Sequence, residues 1–137
     1  MKSIFALTFL CTLILAGSLS FAADKVVEIG TYTAVDVESG EITATLEIRE
    51  NKTINLLIAA PDFEMPKEGC EGDFKVKEYI LTSHMKCPLE GFEEMDVIID
   101  ITTVNSESVR SPAGAMVDVI FAAFGDESSK FVLRKIK

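Results

Sequence analysis

Apolar and polar residues alternate along most of this chain with a period of two, which is typical of β-strands with one buried face. The clearest example is the segment Glu41 to Arg49, in which threonines and charged residues separate the apolar positions. Those apolar positions, which we predict to face one way, are Ile42, Ala44, Leu46 and Ile48. Weaker alternation predicts strands within residues 26–35, 53–59, 96–104 and 130–136, with two more within 70–87. A run of mostly apolar residues predicts a further strand within 116–124.

Short links join these segments, and no segment after residue 22 shows a convincing helical pattern; residues 105–114 are predicted to be a polar loop. Strands joined by short links usually pair antiparallel in a meander. We therefore predict an all-β fold of about eight antiparallel strands, as a small barrel or a barrel-like sandwich. Closure into a barrel is favoured because it leaves no exposed sheet edge. Charges such as Glu47 and Asp100 on the outward faces argue against a transmembrane barrel.

The segment 116–124 differs from the other predicted strands because it is apolar on both faces apart from Asp118. Such a strand is either covered on both sides within its own domain or packed against another subunit. We favour the first interpretation and expect the protein to be a monomer.

Cys70 and Cys87 bracket a segment whose two halves fit the register of a β-hairpin. If the cysteines face each other, the turn centres between Glu78 and Tyr79, although a four-residue turn over 77–80 keeps the same register. One face then carries the apolar side chains and the cysteines, while the other face pairs opposite charges across the strands. We predict a Cys70–Cys87 disulfide that closes the open end of this hairpin.

Residues 1–22 have the features of a secretory signal peptide. Lys2 supplies the positive charge, Ile4 to Ala16 form a short apolar segment, and Ser20-Phe21-Ala22 suits cleavage after Ala22. We therefore predict a single domain over residues 23–137, secreted or periplasmic, with two cysteines left for one disulfide. No membrane insertion is expected after cleavage.

The predicted mature chain is acidic. All 22 acidic residues lie in it, against 12 of the 13 basic residues because Lys2 is lost, which gives a formal charge of −10. An acidic surface disfavours nucleic acid and anionic membranes as partners. It is also a common means of keeping an exported protein soluble, and we favour that simpler interpretation.

The chain offers little for catalysis. His84 is the sole histidine, and the hairpin register places it beside Asp73 on the polar face. One imidazole and one carboxylate make a poor transition-metal site, and no nucleophile motif accompanies them. We therefore expect no enzyme activity and no cofactor.

Two acidic loops flank the predicted hairpin and would be brought together by the disulfide. Their carboxylates suit Ca²⁺ or a basic protein partner, or they simply form a solvated rim. The two loops also contain one phenylalanine each, which either caps the core or offers a contact patch. The residues concerned are Asp62, Glu64, Glu68, Glu90, Glu93 and Glu94, with Phe63 and Phe92.

Asn51-Lys52-Thr53 matches the N-glycosylation sequon, although asparagine is also a favoured turn residue. No motif in the sequence specifies a biochemical activity. The leading hypothesis is an exported, non-catalytic small β-barrel or sandwich that binds an unknown ligand, either a small molecule or a protein, through the barrel mouth or the acidic loops. The alternative is a secreted or periplasmic structural or protein-interaction factor, such as an inhibitor or an envelope accessory protein. The first hypothesis requires an apolar cavity that opens at one end of the barrel.

Intact mass spectrometry of the exported protein tests the cleavage site and the disulfide together. We expect a chain that begins at Ala23 and gains two alkyl groups only when it is reduced before alkylation. Two cysteines that react without reduction would contradict the predicted hairpin.

Overall fold

The computed structural model describes residues 24–59, 64–122 and 125–137, so the predicted signal peptide lies outside the described residues. Eight antiparallel strands follow one another and close into a barrel, as the pattern predicts. The strands are β1 (Gly30–Asp36), β2 (Ile42–Ile48), β3 (Thr53–Ile58), β4 (Cys70–Lys77), β5 (Ile80–Lys86), β6 (Glu94–Asp100), β7 (Ala115–Phe121) and β8 (Ser129–Lys135). Each strand pairs with the next, and β8 pairs with β1 to close the circle.

One expectation about the connections is wrong, because the predicted polar loop 105–114 contains a short helix, α1 (Ser106–Arg110). The Asn105 side chain accepts a hydrogen bond from the Ser108 N–H, and the Ser108 hydroxyl accepts one from the Asn105 N–H. This reciprocal capping satisfies backbone donors that a single helical turn leaves free. Only Val109 is buried in the helix, so the segment has no apolar periodicity for a sequence pattern to detect.

The predicted hairpin register is confirmed. Phe74 lies opposite Ser83 and Val76 opposite Leu81, and a two-residue turn joins β4 to β5. Glu78 opens that turn with a φ of 56°, which is unusual for a residue other than glycine. Its N–H is held by the Asp24 carboxylate at 2.7 Å, and this contact helps to fix the turn.

The predicted faces of β2 hold except at one end. Ala44, Leu46 and Ile48 are buried as expected, but Ile42 is 56% exposed. The register between β1 and β2 shifts there, because Ala34 lies opposite Ala44 and the next residue of β1 lies opposite Ile42. A bulge inserts one extra residue into a strand and reverses the alternation beyond it, so Ile42 points outward.

The favoured interpretation of β7 as a strand covered on both faces is wrong. Val117 and Val119 are buried inside the barrel, whereas Met116 on the outer face is 50% exposed. Each strand of a single closed sheet has only one face toward the interior, so nothing in the described fold covers the other.

Side chains fill one end of the barrel, which we call the closed end. Tyr32, Ile48 and Leu81 are almost completely buried there, and Val109 of α1 is buried with them. The segment 24–29 runs along this end and is joined to the β4–β5 turn by a hydrogen bond from the Lys25 N–H to the Glu78 carbonyl.

An ion-pair cluster ties that segment to α1 and β8. Glu28 accepts hydrogen bonds from Arg110 at 2.7 Å and from Lys135 at 3.1 Å. The Arg110 hydrogen bond is the main reason that the pKa of Glu28 falls to about 2. The helix, the N-terminal segment and the last strand are therefore joined at the closed end. No helix among the described residues is long and apolar enough to cross a membrane.

The predicted disulfide joins Cys70 to Cys87 across a sequence separation of 17 residues. A crosslink over a loop of this length restricts the unfolded chain and stabilises the fold by about 3 kcal/mol. We expect reduction to lower the free energy of unfolding in urea by roughly that amount. A C70A/C87A variant is the control, because its stability should not change with a reducing agent. Equal stability of the oxidised and reduced wild-type proteins would contradict this role.

Candidate functional site

The end of the barrel opposite the closed end contains an apolar cavity of about 410 Å³. Four connections surround this end, which we call the mouth: β1–β2, β3–β4, β5–β6 and β7–β8. The cavity is lined by residues of seven strands and by Cys87, which directly follows β5. The lining residues include Ala34, Leu56, Met95, Val119, Phe121 and Leu133. It therefore extends from the mouth into the barrel interior.

The cavity exists because the two ends of the barrel carry side chains of different size. An eight-stranded barrel is just wide enough for its side chains to fill it or to leave room for one small ligand. At the closed end the inward residue of β1 is Tyr32, whereas two positions further along it is Ala34, opposite Ala44. Small residues at these paired positions leave the mouth half of the interior unfilled.

The disulfide forms part of the cavity wall. Cys70 begins β4 and Cys87 directly follows β5, and both line the cavity. Phe121 and Phe131 contribute an edge-to-face pair with ring centroids 6.1 Å apart. The disulfide thus joins the β4–β5 hairpin and the aromatic pair joins β7 to β8, and both contacts lie in the cavity wall.

No titratable side chain lines the cavity in the described part of the chain. The lining consists of aliphatic and aromatic residues, the disulfide, one methionine and Thr43. A general acid, a general base or an activated nucleophile would need an ionisable or reactive group in contact with the bound molecule. The described lining therefore suits contact with an apolar molecule.

Phe92 is the one predicted contact residue whose place the structure describes. It lies in the β5–β6 connection, is 45% exposed and lines the cavity, so it stands at the boundary between the apolar space and solvent. The predicted partner residues Asp62 and Phe63 lie outside the described residues.

The remaining predicted acidic residues lie at the mouth. Glu64 and Glu68 are in the β3–β4 connection, Glu90 and Glu93 are in the β5–β6 connection, and Glu94 begins β6. All five are exposed, and none lines the cavity. Hydrogen bonds from the backbone N–H of Glu93 itself and from that of Gly91, the latter at 3.2 Å, lower the pKa of the Glu93 carboxyl group.

Sequence reasoning missed four more acidic residues at the same end, because it considered only the loops that flank the disulfide hairpin. In an antiparallel meander every second connection lies at the same end, and that rule would have identified the other two loops. The missed residues are Glu38 and Glu41 in the β1–β2 connection, and Asp126 and Glu127 in the β7–β8 connection.

His84 lies on the outer face of β5, away from the cavity. Its Nδ1 is 2.6 Å from Asp96 Oδ1, and its Nε2 is 3.6 Å from Glu94 Oε2. Its ion pairs are thus with β6, whereas the hairpin register suggested Asp73 on β4. Among the described residues, no group of three or more histidine, cysteine, aspartate or glutamate side chains is placed to hold a metal ion, so the Ca²⁺ alternative gains no support.

Asn51 lies in the β2–β3 turn at the closed end, remote from the cavity, and is exposed. Its side-chain oxygen accepts hydrogen bonds from the Thr53 N–H at 3.2 Å and from the Thr53 hydroxyl at 2.5 Å. These bonds are those of an asparagine that stabilises its own turn. Glycosylation at this position stays a prediction.

Comparison of the chain with protein-family models, with curated proteins and with solved structures gives no significant match.

The contact with Asp96 leads to a prediction about His84. Hydrogen bonding to Asp96 raises the pKa of His84 above its ordinary value of 6.5. We expect the D96N variant to show a lower His84 pKa than the wild type, and the D73N variant to show little change. As the chain has one histidine, the imidazole proton resonances in NMR titrations report on it alone.

The sign of the stability effect follows from the direction of this shift. A raised pKa means that the folded state favours protonated His84, so the stabilisation is complete below about pH 6.5 and disappears as the pH rises through the folded-state pKa. The stability difference between wild type and D96N should shrink over that range. A difference that grows with pH would contradict the ion pair.

Proposed function

We propose that this protein is a non-catalytic binding protein that carries a small apolar or amphipathic molecule inside its barrel. The observation on which this proposal depends is the apolar cavity of about 410 Å³ that reaches the mouth. Its volume lies within the range of roughly 300–1,000 Å³ that is usual for small-molecule sites.

The composition of the lining supports a ligand that is held by burial rather than by hydrogen bonds. Transfer of apolar surface from water contributes about 25 cal/mol per Å², and the cavity offers apolar contacts on all sides. The single hydroxyl among the lining residues, on Thr43, provides little basis for recognition of a polar group. Selectivity inside the cavity therefore depends mainly on the size and shape of the apolar part of the ligand.

The proposed place of action is outside the cytoplasm, in the periplasm or the extracellular space. The Cys70–Cys87 disulfide supports this part of the proposal, because such bonds persist in oxidising compartments. The predicted signal peptide agrees with it. A carrier in such a compartment would keep an apolar molecule in solution between the places where it is released and taken up.

A second candidate is the protein-interaction factor named above, and one observation favours it. On the outer surface Met116 lies opposite Val132, Val132 opposite Val35, and Val35 opposite Ile42. These residues form an apolar row across four strands, with Met116 and Ile42 at least half exposed. Such a row is typical of a contact surface.

Titration with N-phenyl-1-naphthylamine tests the proposed function, since this uncharged dye fluoresces strongly in apolar sites. We expect saturable binding of one dye per chain. The V119F variant should bind the dye about tenfold more weakly or worse, because the larger side chain occupies the cavity. Val119 is buried and lines the cavity on β7.

The matched control is V132F, the same substitution on the outer face of the neighbouring strand β8. It should leave dye affinity unchanged, and circular dichroism should show that both variants fold. If the dye fails to bind, or if V132F reduces binding as much as V119F, the cavity is not the binding site and the proposal is wrong.

A further inference from the structure

The charges of the described connections are distributed unequally between the two ends of the barrel. The described residues of the four connections at the mouth carry eight carboxylates and a single basic group, that of Lys67. At the closed end, the described segment 24–29, the other three connections and residues 136–137 together carry five acidic and five basic side chains. Among the described loops and terminal segments, the net negative charge therefore lies at the mouth.

The basic groups on the strands beside the mouth have acidic residues on the neighbouring strands. Lys130 at the start of β8 forms an ion pair with Asp118 at 2.8 Å on the outer surface. Lys86 at the end of β5 lies opposite Glu71 on one side and Glu94 on the other. Because the described mouth connections carry eight carboxylates and one basic group, adding these two lysines still leaves the mouth with a net negative charge.

A ligand in this cavity would place its polar head among these charges. The cavity interior is apolar, so the apolar part of an amphipathic molecule enters it and the head group stays at the opening beside Phe92. Glu90 and Glu93 flank Phe92 in sequence at that opening. Low-dielectric walls concentrate the field of such charges at the mouth of a cleft.

We propose that the occupant of the cavity is an amphiphile with one apolar chain and a cationic head, and that the acidic mouth disfavours fatty carboxylates of the same chain length. The assignment rests on the proposed function, because it requires the cavity to bind ligands at all. It goes further because it names the class of ligand. The apolar lining does not distinguish between head groups of different charge, whereas charge complementarity with the acidic mouth does.

Displacement of the bound dye by three twelve-carbon amphiphiles tests the assignment. The competitors are dodecyltrimethylammonium, the overall uncharged dodecyldimethylamine oxide, and dodecanoate, each below the concentration at which it forms micelles. At neutral pH and low salt, we expect the cation to bind at least about tenfold more tightly than the carboxylate, with the amine oxide between them. At 1 M salt, where the screening length falls to about 3 Å, this preference should nearly vanish.

A pair of double variants locates the preference at the mouth. E90Q/E93Q should reduce the ratio of cation to carboxylate affinity roughly fourfold, about twofold for each charge removed. The control E50Q/E107Q removes two exposed carboxylates from the closed end and should leave the ratio unchanged. Binding of the uncharged dye should be the same in both variants.

Two results would overturn the assignment while leaving the proposed function intact. The first is that dodecanoate binds as tightly as the cation, while the dye still binds to the wild type and V119F abolishes dye binding. The other is a preference for the cation that responds neither to salt nor to E90Q/E93Q. Failure of the dye to bind would instead overturn both proposals.

Discussion

Closure of the sheet between β1 and β8 is the constraint on which the rest of this structure depends. Five residue pairs, from Tyr32–Lys135 to Asp36–Phe131, join the first strand to the last. Closure removes both free sheet edges and creates an interior that every strand faces. Because neighbouring strands run in opposite directions, closure also brings every second connection to the same end. Loops that are far apart in sequence, such as 37–41 and 122–128, thereby surround one opening.

The two ends of that interior differ in how completely side chains fill them, and the difference follows from side-chain size. Packing at native density leaves few spaces larger than a water molecule. Large residues such as Tyr32 and Ile48 meet this condition at the closed end, with help from α1 and the segment 24–29. At the other end Ala34 and Ala44 face each other across β1 and β2 and cannot fill the available volume. This apolar space in a domain that is well packed at its other end is the basis of the binding function proposed above.

Charged and apolar side chains occupy separate regions at the mouth. The carboxylates lie in exposed connections, where they stay hydrated and no desolvation free energy is lost. The cavity wall carries no charge among the described residues. The Cys70–Cys87 disulfide lies between the acidic connections and the cavity. Cys70 is the first residue of β4, Cys87 directly follows β5, and both line the cavity wall. The disulfide holds the neighbouring connections at a fixed separation without placing a polar group inside the barrel.

The sequence by itself determined the strand number, the hairpin register, the disulfide and most inward positions, because alternation and cross-strand pairing are local patterns. It did not reveal helix α1, whose five residues are too few for a period to emerge, nor the bulge that turns Ile42 outward. Only the tertiary structure decided that His84 pairs with Asp96, that β7 has one uncovered face, and that a cavity remains. Pairing between strands distant in sequence and the volume left between packed side chains depend on all eight strands at once, so no local pattern can specify them.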